Sequence, residues 1–277
     1  MGKLAQYWAS LPRTGWTLER FGLTPAKLGK RLRNPGAPKA LCVSIPKAGT
    51  HLLERALCLH PDLYRALIPT VSHADIGRRK GLDGLLAGLR PGQVAVAHLR
   101  FQPEYPAVIQ NRGARGFFLI RDPHDIVVSQ VHYVSKRADH RLHQVLGGLP
   151  DMKEKLKLAI AGSPQAEISS IRERLDLYAG WLDSGCLVVR FEDLIGPGGG
   201  GDSDTQTAAV AAIYRHLGID LDEAGLAGIC DRLFSPESPT FRWGAIGGWQ
   251  AAFDAELETL FDRVVGDAAA PYGYRKP

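Results

Sequence analysis

Four short runs of apolar residues, separated by longer stretches with helical spacing, most constrain the fold of this chain. The apolar runs lie at residues 41–45, 94–97, 117–120 and 187–191. Helices are predicted at residues 51–59, 125–135, 165–183 and 205–217. Strands that are apolar throughout are buried on both faces, and the helices between them supply the crossovers of a parallel sheet. The sequence therefore predicts an α/β fold of three layers, a parallel central sheet flanked by helices.

The length and composition fit a single domain. A chain of 277 residues with 45% hydrophobic composition can bury a full core, and we assign that core to residues 41–277. The glycine-rich segment 196–201 is interpreted as a flexible loop rather than a domain linker, because the helical pattern resumes directly after it. Two helical insertions are expected in this domain, around residues 65–92 and 134–165.

Residues 1–40 form a strongly basic arm, with eight lysines and arginines against a single acid, Glu19. A solvated arm fits this pattern, and so does docking on an anionic membrane surface, because Trp8, Trp16 and Phe21 are interleaved with the charges. The net charge of +5 favours an anionic partner. No nucleic-acid partner is expected, since no reading element accompanies the charge.

The expected location is the cytoplasm, with the membrane surface as the alternative for the arm. No stretch approaches the roughly 18 unbroken apolar residues that span a bilayer, and no apolar block follows the basic start of the chain. The four cysteines are scattered, which is typical of thiols in a reducing compartment and of neither a disulfide framework nor a zinc site.

Three polar residues follow, or stand at, the ends of predicted strands: Lys47, His98 and Arg121. Each alone fits an ordinary role, as a solvated lysine, a hydrogen-bonded histidine, or an arginine paired with the aspartate beside it. Ligands of open parallel sheets bind beyond the carboxyl ends of the strands, however, so the shared position of the three residues favours a site.

The segment Pro46-Lys47-Ala48-Gly49-Thr50, between the first strand and its helix, is suited to an anion. Glycine lets the backbone approach the ligand, and the first N–H groups of the helix face it. The pattern is not a Walker A loop, because the lysine precedes the glycine. A nucleotide-dependent kinase is disfavoured for that reason, and because metal-binding acids were not found.

Four segments, in order, resemble those of sulfotransferases that use 3′-phosphoadenosine-5′-phosphosulfate (PAPS). They are Ser44–Thr50, Phe118–Ser129, Val189–Leu194 and Phe241–Trp249. In that family they correspond to the 5′-phosphosulfate loop, the 3′-phosphate segment, an Arg-Tyr-Glu-Asp-Leu motif and a C-terminal Arg-Lys-Gly-x-x-Gly-Asp-Trp motif. The resemblance covers most of the chain and implies the P-loop NTPase-like sulfotransferase fold.

The resemblance also implies roles for individual residues. The 5′-phosphosulfate would be held by Lys47, Ala48, Gly49, Thr50 and His51, with Lys47 also stabilising the leaving group. The 3′-phosphate would be held by Arg121, Ser129, Arg242 and the backbone of Gly244. His98 would be the general base on the acceptor hydroxyl, with Glu104 and His51 as rivals. Glu192 and Asp193 would fix the neighbouring loops.

This sequence departs from the family where the adenine should bind. The tryptophan that often follows the phosphosulfate loop is absent, so the adenine needs other support, for which Phe241 and Trp243 are the candidates. Transfer would be direct, with PAPS as co-substrate, PAP (adenosine 3′,5′-bisphosphate) as product and no metal. A PAP-binding protein without turnover is the alternative from another class.

The acceptor is expected to carry a hydroxyl group, on a carbohydrate or glycolipid. Six lysines and arginines in 134–165 fit either a solvated helix face or an anionic acceptor such as an acidic glycan. A phenol or small alcohol is the alternative.

Overall fold

A six-stranded parallel sheet forms the middle layer of the computed structural model, which describes residues 21–23, 34–234 and 245–274. The strands are β1 (Lys39–Ser44), β2 (Tyr64–Arg65), β3 (Val71–Ser72), β4 (Gln93–His98), β5 (Ala114–Ile120) and β6 (Leu187–Arg190). The α-helices of the described residues are α1 (Thr50–Cys58), α2 (Gly81–Ala87), α3 (Tyr105–Asn111), α4 (Pro123–Ser135), α5 (His143–Gly147), α6 (Met152–Ala161), α7 (Ile171–Tyr178), α8 (Phe191–Ile195), α9 (Ser203–Leu217), α10 (Glu223–Leu233) and α11 (Ala255–Val265). The predicted α/β architecture is confirmed.

The strand order is β2-β4-β1-β5-β6, and β3 pairs with the far half of β4. β1 therefore lies between β4 and β5, and all of these pairings are parallel. After β1 the chain runs to the β2 edge, whereas after β5 it runs to β6 at the other edge. Such a reversal opens a crevice at the carboxyl ends of the central strands, where ligands of doubly wound sheets bind.

The central strands are apolar throughout because each contributes to two cores. In β1, Leu41 and Val43 pack in one apolar cluster, while Ala40 and Cys42 pack in the other. Helices α2, α3, α4, α6, α7 and α11 cover the first face, and α1, α8, α9 and α10 cover the second. Side chains that alternate between two buried layers leave no polar positions along a strand.

The predicted helix at 165–183 is wrong in its first part. Helix α7 begins only at Ile171, because Ser170 accepts from the Glu173 N–H while the Glu173 side chain accepts from Ser170, forming a capping box. The preceding residues close a short bridge between Ser163 and Ile168 instead. The helix then tightens into a 3₁₀ turn that ends at Trp181.

The two predicted insertions differ in structure. The 134–165 segment is helical, with α5 and α6 packed near α4. The 65–92 segment holds α2 but also contributes β3 and the end of β2, because its backbone pairs with both halves of β4. In segment 196–201, hydrogen bonds from the Gly199 and Gly201 N–H groups to the Gly196 carbonyl close a compact turn. The division into an arm and one domain stays a prediction.

All four cysteines lie within the described residues and none forms a disulfide; Cys42, Cys58 and Cys186 are buried, and Cys230 is half-buried. None of the helices within the described ranges is long and apolar enough to cross a membrane. The same residues hold no group of three or more histidine, cysteine, aspartate and glutamate side chains suited to a metal ion.

Trp181 connects the core to the end of β4. Its indole is fully buried, packs against the rings of Phe101, Tyr105 and Phe118, and donates from Nε1 to the Leu99 carbonyl at 2.8 Å. Leu99 directly follows the last residue of β4, so this bond helps to fix the strand end.

Trp181→Phe should lower the free energy of unfolding by about 1–3 kcal/mol, because the Leu99 carbonyl would stay buried without its donor. Urea denaturation of the full chain measures this loss. Trp249→Phe is the matched control, since Trp249 is only half-buried, and its loss should stay below about 1 kcal/mol. Equal losses in the two variants would contradict the assigned role of the indole bond.

Candidate functional site

The loop between β1 and α1 has the backbone shape of an anion cradle. Lys47 and Gly49 both adopt positive φ, 77° and 100°, so the chain turns sharply before the N-terminus of α1. A helix N-terminus leaves its first N–H groups without intrahelical acceptors, and these groups can bind an anion. A Cβ at Gly49 would lie 2.4 Å from Cδ2 of Phe191, so only glycine fits there. The structure thus agrees with a phosphate-binding role for the loop.

His98, the last residue of β4, is bound to the end of β1. Its Nδ1 lies 3.0 Å from the Ser44 carbonyl oxygen and 3.3 Å from Ser44 Oγ, which in turn lies 2.6 Å from Thr50 Oγ1. Because a carbonyl oxygen only accepts, Nδ1 must carry the proton, and Nε2 is left with its lone pair. Burial lowers the pKa of His98, and the bond to Ser44 only partly opposes that shift. A neutral histidine with this tautomer can accept a proton at Nε2.

The Lys47 ammonium sits in a cationic and half-buried environment. Its Nζ lies 3.7 Å above the ring centroid of Tyr133 on α4. Burial, followed by the charges of Arg121 and Arg137, lowers the pKa of Lys47 to about 8. Such a lysine is suited to bind an anion, because the negative charge of the ligand would offset the positive charges of Lys47, Arg121 and Arg137.

Arg121 directly follows β5 and is held by three contacts. Its guanidinium lies over the Phe191 ring at 4.2 Å, and Nη2 lies 3.4 Å from the Asp125 carboxylate and 3.3 Å from the Ala245 carbonyl. Ser129 lies one helical turn beyond Asp125 on α4 and is half-buried. A spacing of four residues puts Asp125 and Ser129 on one face of α4. A shared role of Arg121 and Ser129 stays a prediction.

The segment that follows residue 244 is attached to the same helix. The Asp125 carboxylate accepts from the backbone N–H groups of Gly247, at 3.1 Å, and Trp249, at 3.0 Å. The Ile246 N–H donates to the Gly199 carbonyl at 3.0 Å. The predicted ligands Arg242, Trp243 and Gly244, together with Phe241, lie outside the described residues. The residues that follow them are nevertheless bound to Asp125, which lies four residues after Arg121 in the sequence.

Phe191 is a site residue to which the sequence pattern assigned no role. The register of β5 and β6 pairs Ile120 with Arg190, so Phe191 follows β6 just as Arg121 follows β5. Its ring touches Arg121 and leaves no room for a side chain at Gly49. An aromatic residue at the last position of the predicted fourth strand was the available signal.

Glu192 has the supporting role that the sequence predicts. It accepts from the Asp122 N–H at 2.8 Å and from the Tyr274 hydroxyl at 2.6 Å. The first bond fixes the backbone immediately after Arg121.

The two rival bases differ from His98 in their surroundings. The His51 ring binds the buried Glu54 carboxylate through Nδ1 at 3.0 Å, and Glu54 also pairs with Arg65. Glu104 is exposed at the start of α3. His98 alone of the three is hydrogen-bonded to the strand that leads into the Lys47 loop.

Most cations of the 134–165 segment are neutralised locally. Four of the six lie within 4 Å of a carboxylate, in the pairs Arg137–Asp139, Arg141–Glu167, Lys153–Asp254 and Lys157–Glu256. This arrangement favours a solvated helix face, so the segment gives no independent support to an anionic acceptor.

No protein-family model matches the sequence, and no curated protein matches it significantly. Among solved structures, mouse sulfotransferase SULT7A1 complexed with PAP is similar, with a TM-score of 0.60, 18% identity, and coverage of 91% of this chain and 94% of that chain. Retinol dehydratase is also similar, in complexes with androsterone and PAP (16% identity) and with retinol and PAP (17% identity). Both give a TM-score of 0.60 and cover 91% of this chain and 88% of the other. The chain therefore has the sulfotransferase fold.

Proposed function

We propose that this protein is a sulfotransferase that moves a sulfuryl group from PAPS to an acceptor hydroxyl. The observation that carries the proposal is the meeting of Lys47, His98 and Arg121 at the carboxyl ends of three adjacent strands, β1, β4 and β5. The hydrogen bond from His98 to the Ser44 carbonyl ties His98 to the end of β1, three residues before Lys47. Solved structures of the same fold contain PAP, which supports the same donor here.

The charge pattern of the site fits this donor. Lys47 has no carboxylate within 4 Å among the described residues, and the Asp125 carboxylate, 3.4 Å from Arg121, also accepts from two backbone N–H groups. A donor with a 5′-phosphosulfate and a 3′-phosphate supplies anions at two separate points. We assign the first to the loop from Lys47 to His51 and the second to Arg121 and Ser129, with Arg242 and Gly244.

The reaction would be a direct displacement at sulfur. The acceptor oxygen forms a bond to sulfur while the bond from sulfur to the phosphate oxygen breaks. The hydroxyl proton passes to Nε2 of His98, which is available because Nδ1 is bound to Ser44. Lys47 stabilises the charge that develops on the departing bisphosphate.

Lys47→Ala and His98→Asn test the enzyme. Lys47→Ala should lower kcat about 100-fold or more, and His98→Asn should lower it by about 100- to 10,000-fold. His98→Asn should leave PAP affinity within about twofold, because asparagine can still donate to the Ser44 carbonyl. Release of label from ³⁵S-PAPS, to water and to a panel of hydroxyl compounds, measures turnover.

Calorimetry with PAP separates this proposal from its alternative. Tight PAP binding without any transfer by the wild-type chain would favour a PAP-binding protein without turnover. A wild-type chain that binds neither PAP nor PAPS would refute both.

Arg121→Lys tests the 3′-phosphate assignment. We expect PAP binding to weaken by about 1.5–3 kcal/mol, because lysine keeps the charge but loses the two-pronged contact with phosphate. Binding of AMP, which lacks the 3′-phosphate, should change little. Titration calorimetry without magnesium measures both affinities, and Arg112→Lys, at an exposed pair with Asp83, is the control. Equal weakening for PAP and AMP would contradict the assignment.

For the acceptor, we propose a hydroxyl on a carbohydrate or glycolipid. The basic arm at 1–40 supports this, since an anionic membrane surface would bring the protein to a glycolipid. The same reasoning favours a cytoplasmic protein with peripheral membrane contact. A phenol or small alcohol is the second candidate, and retinol dehydratase, with androsterone or retinol bound, favours it.

Competition between acceptors decides this question. With PAPS fixed, kcat/KM should be highest for a neutral glycolipid in micelles or its soluble oligosaccharide, and at least about tenfold lower for androsterone and 4-nitrophenol. A higher value for either of the last two would overturn the carbohydrate proposal and leave the donor assignment standing.

A further inference from the structure

Among the described residues, the ring of Tyr133 is the nearest group that stabilises the charge of the Lys47 ammonium. Nζ lies 3.7 Å from the ring centroid, well within the range of a cation–π contact. Both residues are half-buried, so water screens the contact only in part. No carboxylate among the described residues lies within ion-pair distance of Lys47.

Within the part of the chain that the structure describes, the charged groups that act on Lys47 are cations. Arg121 after β5 and Arg137 on the α4 side both oppose its charge. Lys47 also acts on His98 and His140, lowering the pKa of each. The Tyr133 ring lies among these groups, 5.5 Å from the Arg137 guanidinium and 5.8 Å from the His140 ring.

We propose that Tyr133 is a positioning residue for Lys47, which holds the ammonium charged over the loop through its ring face. The inference rests on the proposed function, in which Lys47 must carry a charge to stabilise the departing bisphosphate. It concerns a residue outside the four segments that resemble the sulfotransferase family.

A ring suits this task better than a carboxylate. A carboxylate beside Lys47 would also hold its charge, but it would repel the incoming phosphosulfate and compete for the ammonium. The face of an aromatic ring attracts a cation through its quadrupole and carries no net charge. Tyr133 can therefore hold Lys47 while the anion site stays open.

The backbone supports the same arrangement. Lys47 is one of three non-glycine residues with positive φ in the described part of the chain. This conformation is unfavourable for a side chain with a Cβ, so the loop must be held in it by its surroundings. The Tyr133 contact fixes the far end of the lysine, while the loop fixes its Cα.

The pH dependence of PAP binding provides a test that a merely structural role would not satisfy. PAP binds the charged form of Lys47, so its affinity should be highest well below pH 8. The affinity should fall as the pH rises through the pKa of Lys47 in the PAP-free protein, which is about 8. The pKa values of His98 and His140 are lowered from 6.5, so both titrate below this range. Loss of the ring in Tyr133→Leu removes a stabiliser of the charged form, which moves the fall in affinity to lower pH.

The experiment is calorimetric titration of the full chain with PAP from pH 6.5 to 9.5. At pH 8.5 we expect Tyr133→Leu to bind PAP about three- to tenfold more weakly than wild type, and at pH 6.5 the difference should shrink to less than about twofold. Tyr133→Phe keeps the ring and should follow wild type. Lys47→Arg should abolish the alkaline fall, because arginine stays charged.

Three outcomes would overturn the proposal: a loss in Tyr133→Leu that is equal at all pH values, no loss at all, or an equal loss in Tyr133→Phe. Failure of the proposed function is distinguished by a second readout. The rate at which an amine-reactive reagent labels Lys47, followed by mass spectrometry across pH, reports its pKa without any nucleotide. That pKa should fall in Tyr133→Leu and not in Tyr133→Phe, whether or not PAP binds.

Discussion

The ring of Phe191 packs between the two elements to which we assign anion binding, the Lys47 loop and Arg121. One part of the ring leaves no space for a side chain at Gly49, and the Arg121 guanidinium lies over its face. Parallel pairing of β5 and β6 brings Phe191 beside Arg121, and the neighbouring β1 carries the Gly49 loop. The spacing between the proposed 5′ and 3′ sites is thus set by packing in the sheet.

Near that ring, the Lys47 ammonium lies close to two other cations, Arg121 and Arg137. Asp125 balances Arg121 but also accepts two backbone N–H groups, and Lys47 rests on an aromatic ring. Clustered like charges lower the stability of the empty protein, and an anionic ligand relieves them. An arrangement of this kind is expected at a binding site, where stability is given up for a preformed complement to the ligand.

The sequence predicted the residues that meet at the strand ends. It failed for features that depend on contacts with other parts of the chain. Lys47, His98 and Arg121 lie together because parallel strands end at one edge, which the pattern of apolar runs implies. The start of α7 was wrong because the capping box at Ser170 ends a periodic pattern that continues in the sequence. The sequence of segment 134–165 does not show whether its cations are neutralised. Lys153, for example, pairs with Asp254, the N-cap of α11, which is distant in the sequence. Phe191 was missed because its role depends on the register of two strands.

In the proposed function, the donor and acceptor sites lie on different parts of the fold. The proposed donor-binding residues lie on the central strands and on α1 and α4, which are fixed by two buried cores. His98 lies between the Lys47 loop and the 65–92 segment, because β4 pairs with β1 on one side and with β3 on the other. Ser72 on β3 is the residue paired in register with His98. β3 belongs to the 65–92 segment, whose remaining residues form turns, short helices and the edge of the sheet. Changes in that segment can therefore reshape the surroundings of His98 without moving Lys47 or Arg121, so the proposed donor site and the acceptor site can change independently.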